Sequence, residues 1–92
     1  AITTRMSKDP VALNSQGMQA LQRGDAKAAV IAFAAAVKAD PGAAILQYNL
    51  ANAHALAGDA KAQMEALNAA LDLDPYMPHA LLARGRLHEH EG

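Results

Sequence analysis

Gly24-Asp25-Ala26-Lys27-Ala28 returns unchanged as Gly58-Asp59-Ala60-Lys61-Ala62, and the same displacement, residue 24 to residue 58, carries Asp40-Pro41 onto Asp74-Pro75. A fixed period of about 34 residues marks one supersecondary unit stacked on copies of itself, because a single unit cannot bury its own apolar face. The repeated residues are punctuation. Glycine accepts a left-handed backbone at the end of one helix, aspartate caps the start of the next, and Asp-Pro stops it.

Composition supports a small helical scaffold. The chain has 92 residues, 52% of them hydrophobic but only 3% aromatic. Roughly a quarter is alanine, the strongest helix former and a side chain thin enough to let helices approach closely. There is no cysteine, so disulfide staples and thiolate chemistry are absent. A formal charge of −1, with Lys and Arg scattered along the chain, provides no basic stripe for a phosphate backbone, and nucleic acid is not an expected partner. No apolar run is long enough to span a bilayer, and the N-terminus lacks the pattern of a signal peptide, which favours a cytoplasmic protein that does not enter membranes.

The segments between the punctuation carry helical periodicity. Asp9-Pro10 supplies an N-cap and a first-turn proline for a helix over residues 10–23. Asp25 opens a second helix ending near Ala39, with Val30, Phe33, Ala36 and Val37 on one face. Asp40-Pro41-Gly42 breaks the chain before a second pair at 43–57 and 60–73, where Met64, Leu67, Ala70 and Leu71 form the equivalent stripe. Pro78 opens a fifth helix. The expected fold is all-α, five helices in antiparallel pairs, with residues 1–8 as an N-terminal extension.

These residues resemble the tetratricopeptide repeat family. The pattern falls on Leu13, Gly17, Ala29, Phe33, Ala36 and Pro41 in the first unit, and on Tyr48-Asn49-Leu50, Asn52-Ala53, Gly58-Asp59, Ala70-Leu71 and Leu73-Asp74-Pro75 in the second. The resemblance implies a right-handed superhelical α-solenoid over residues 10–92: one repeat at 10–43, another at 44–77, and the first helix of a third at 78–92. Gly17, Ala51 and Gly85 are expected to remove bulk where the helices of a unit cross, beside Phe33 and Leu67, with Pro41 and Pro75 closing the units. Gln63 departs from the pattern where the first unit has Ala29.

The resemblance further implies a non-catalytic module that binds a protein or peptide in a concave groove lined by first helices. The residues mapped there are Asn14, Ser15, Met18, Gln22, Tyr48, Asn49, Asn52, His79, Arg86 and His90. Asparagine amides donate and accept at once, which suits an extended peptide backbone, while Tyr48 and Met18 offer apolar contact. Asn49 and Asn52 are the leading candidates. Only Asn49 matches the clamp with which some members grip a terminal carboxylate, so tight binding of that kind is not expected.

Metal chemistry finds little footing. His88 and His90 are two residues apart and point to nearly opposite helix faces, whereas chelating pairs favour spacings of three or four. His54 and His88 stand one period apart and are expected to pack between helices. No nucleophile, phosphate loop or base is arranged by a local motif, and Asp25, Asp40, Asp59 and Asp74 are explained as caps and turns. Neither a cofactor nor an enzymatic activity is expected.

Leu81, Leu82 and Leu87 of the fifth helix lack a second helix to cover them. Either further chain follows, or another molecule covers them, which allows a homo-oligomer, or Arg84, His88 and Glu91 form a polar outer stripe that caps the stack. A second functional reading follows from the first of these: an accessory or oligomerisation module of a larger bacterial enzyme, for example one resembling aspartyl/asparaginyl β-hydroxylases.

Overall fold

The computed structural model describes residues 9–91. Five helices follow in order: α1 Pro10–Gln22, α2 Ala26–Ala39, α3 Ala44–Leu56, α4 Ala60–Leu73 and α5 Pro78–Glu91. No strand occurs among the described residues. The N-terminal extension and Gly92 lie outside them. The expected helices are all present, with α1 ending one residue early and α3 one residue shorter at each end.

The repeated pentapeptide is a helix stop fused to a helix start. At the end of α1 the Asp25 N–H donates to the Ala20 carbonyl at 2.9 Å and the Gly24 N–H to that of Leu21 at 3.0 Å, with Gly24 at φ 75°. This double bond pattern needs a left-handed residue, which glycine adopts without a Cβ clash. Asp25 then caps α2 by accepting from the Ala28 N–H at 3.1 Å. The second copy matches: Asp59 to His54 and Gly58 to Ala55 at 3.0 and 3.1 Å, Gly58 at φ 77°, and Asp59 accepting from Ala62 at 3.1 Å. One aspartate thus satisfies orphan backbone groups of two helices and sets the antiparallel reversal.

Consecutive helices pack on one another throughout, and α1 also meets α3. The core is a row of three clusters: Leu13, Ala36 and Leu46; then Ala20, Ala29, Phe33 and Ala53; then Ala51, Ala66, Leu67, Leu71, Ala80 and Leu87. Phe33 and Leu67, one period apart, are the largest fully buried side chains. A Cβ on Gly17 would lie 2.5 Å from Cε1 of Phe33, so glycine there is a steric requirement of the ring.

The fifth helix departs from expectation. Leu87 is buried against α4 and α3 rather than uncovered, whereas Leu81 and Leu82 are exposed. A Cβ on Gly85 would meet nothing within 4 Å, because among the described residues no helix lies on α5 as α2 lies on Gly17. For the same reason His88 is exposed and does not pack between helices; His54 is half-buried. Arg84 turns back from the expected outer stripe and donates to Oδ1 of Asn68 on α4 at 3.1 Å.

Candidate binding groove

The first helices present three equivalent ridges, since residues three and four apart share a helix face. In the repeat register these are Val11, Asn14, Met18 and Gln22 on α1; Ile45, Tyr48, Asn52 and Leu56 on α3; and His79, Leu82, Arg86 and His90 on α5. Between α3 and α5 lies a groove of about 400 Å³ lined by Tyr48, Asn52, His79, Leu82, Arg86 and His90, with Gln63 reaching it from α4. A smaller hollow of about 210 Å³ separates α1 from α3, with Val11, Asn14 and Ile45 on its rim. Val11 is 75% and Ile45 54% exposed, which leaves an apolar lip beside that hollow.

Two contacts organise this face. Asn49 Nδ2 donates to Asn14 Oδ1 at 2.8 Å, tying α3 to α1, and Asn49 is only 9% exposed. Its amide is therefore engaged inside the stack rather than presented to a ligand. The Tyr48 and His79 rings meet edge to face, centroids 6.1 Å apart and planes at 62°, joining α3 to α5 and forming one wall of the larger groove.

Of the residues expected in the groove, Tyr48, Asn52, His79, Arg86 and His90 come together between α3 and α5. Met18 is 41% exposed on α1 and Asn14 lines the smaller hollow. Of the packing residues, Ala51 and Leu67 are fully buried, while Pro41 and Pro75 lie at exposed turns. Sequence reasoning missed Gln63, Leu82, Ala83 and Leu87 as lining residues. Leu82 stands in the register place of Asn14 and Tyr48. Gln63 stands where Ala29 is wholly buried, and its longer side chain extends past that interface to the groove edge.

Charge is unevenly spread over the helices, with Arg84, Arg86, Glu89 and Glu91 on α5. Neither α1 nor α3 contains an Asp, Glu, Lys or Arg. The second helices carry Lys27, Lys38, Lys61, Glu65 and Asp72. Surface charge ordinarily keeps a small domain soluble and unattached, so twenty-odd first-helix residues without any are a place where water is more easily displaced.

Antiparallel helix pairs repeating with a glycine-aspartate hinge define an α-helical repeat scaffold. The model of the tetratricopeptide repeat family matches residues 14–78, and the chain belongs to that family. Repeats of this family generally mediate protein–protein interaction and are typically non-catalytic. A search of curated proteins found no match. No helix among the described residues is long and apolar enough to cross a membrane.

Proposed function

We propose that the chain is a non-catalytic protein-binding module that takes a peptide or protein segment along the face formed by α1, α3 and α5. The groove between α3 and α5 carries this reading, because it joins an aromatic wall, Tyr48 on His79, to the polar side chains of Asn52 and Arg86. Few well-placed polar groups beside apolar surface are what a selective site requires. Tyr48 and Asn52 are the central contacts in this reading, with Met18 at the α1 end. The engaged amide of Asn49 holds α1 and α3 at the spacing the face needs.

The test is selection of short peptides from a displayed random library on the whole chain, followed by anisotropy titration. Tyr48→Ala should weaken the selected peptides about tenfold or more, since truncating a central aromatic anchor typically costs ~2 kcal/mol. Unchanged affinity in that variant, with an intact thermal melt, would remove the groove from consideration. A second reading, self-association through α5, is favoured by Leu81, 42% exposed, beside the open space over Gly85.

A further inference from the structure

The three ridges of the face are not equivalent in charge, and the difference points to a kind of partner. On α5 the ridge carries Arg86 between Leu82 and His90, with His79 one step further along, and it faces the uncharged Tyr48 and Asn52 of α3. Among the described residues no Asp or Glu lines the groove. Glu89, three residues beyond Arg86 on the same helix, is not among the lining side chains and forms no ion pair with it. The Arg86 side chain is exposed, and its guanidinium has no hydrogen-bond or ion-pair partner among the described side chains. A guanidinium left unpaired at the edge of a groove presents a planar fork of donors that matches a carboxylate.

We infer that the groove selects an internal acidic residue, Asp or Glu, flanked by an aliphatic or aromatic residue within an otherwise uncharged segment. This rests on the groove being the binding face. The acid pairs with Arg86, its apolar neighbour packs on Tyr48 and Leu82, and the uncharged remainder runs over α3 towards α1. The acid is a side chain rather than a chain terminus for a reason on the neighbouring helices: gripping a terminal carboxylate takes several convergent donors. The Asn49 amide, which could have been one, is buried and its nitrogen already donates to Asn14. Among the described lining residues Arg86 alone provides a permanent positive charge, enough for one side-chain carboxylate.

The test extends the peptide selection on the whole chain. Enriched sequences should place Asp or Glu beside an aliphatic or aromatic residue. Replacing that acid by its amide should weaken binding about tenfold, the scale of one charge-assisted hydrogen-bonded contact, and raising salt should weaken it further. Amidating the peptide's C-terminus should change nothing. Arg86→Glu, at an exposed site that makes no internal bond, should keep the fold and switch the enriched residue to Lys or Arg. Peptides that lose affinity in Tyr48→Ala yet show no acidic preference and no response to Arg86→Glu would overturn this inference while leaving the groove reading intact. Loss of binding on amidation would also overturn it, by assigning the contact to a terminal carboxylate. An empty selection, or peptides indifferent to both variants, would overturn the groove reading and this one together.

Discussion

Asn49 on α3 reaches across to Asn14 on α1, Nδ2 to Oδ1 at 2.8 Å, making a polar tie between two first helices whose other contacts are few. Asn49 is the buried partner and Asn14 the half-exposed one. Asn14→Ala therefore strands a buried donor and is expected to destabilise by about 1–3 kcal/mol, the cost of an unsatisfied buried polar group. The Asn14→Ala, Asn49→Ala double variant should cost less than the sum of the single changes, because the orphaned amide goes with it. Urea melts of the four proteins measure this. Strict additivity would show that the tie carries no energy of its own.

The two hinges make the same bonds, so they should respond alike. Asp25→Ala and Asp59→Ala each remove one N-cap and should cost about 1 kcal/mol apiece. Gly24→Ala and Gly58→Ala keep every hydrogen bond but force a Cβ into left-handed backbone at φ 75° and 77°, for about 1–2 kcal/mol. Both glycines have open space around an added Cβ, so the cost is conformational rather than steric. Thermal melts of the matched pairs should agree within a few tenths of a kcal/mol; a large difference would mean the two turns are not interchangeable.

The contrast between repeated and unrepeated features explains what the sequence made legible. Helix order, both hinges and the burial of Phe33 and Leu67 recur with the period, and recurrence exposes them. The Asn14–Asn49 tie does not recur: one period on, Asn14 becomes Tyr48, and one period back, Asn49 becomes Ser15. No pattern could have marked Asn49 as engaged. The register also misleads at α5, where it equates Gly85 with Gly17 and His88 with Ala20 although among the described residues no helix covers α5 as α2 covers α1. Burial of Leu87 comes from its seat on α4 and α3, a neighbour effect that a pattern within α5 cannot display.

Open space over Gly85 predicts a stabilising substitution. Gly85→Ala should raise stability by about 0.5–1 kcal/mol, because alanine loses less backbone freedom in a helix and its methyl meets nothing within 4 Å. Sedimentation over rising concentration decides the self-association reading. Under that reading the chain associates and Leu81→Lys abolishes it; a strict monomer removes α5 as a self-interface.

Gly17 predicts the opposite sign, and its partner allows a rescue. A methyl at Gly17 would enter the Phe33 ring at 2.5 Å, with no flexible end to yield, so Gly17→Ala should destabilise by about 1–3 kcal/mol despite the better helix former. One period on, the same crossing is built from Ala51 and Leu67, both fully buried. Phe33→Leu should therefore make room for the methyl and convert the first crossing into the chemistry of the second. Alone, Phe33→Leu leaves a void and should cost about 1–2 kcal/mol. In combination with Gly17→Ala the total should fall well below the sum, with a favourable coupling of about 1 kcal/mol or more. A double variant as unstable as the two single costs added together would mean that the crossings differ in backbone separation, and not only in which residue supplies the bulk.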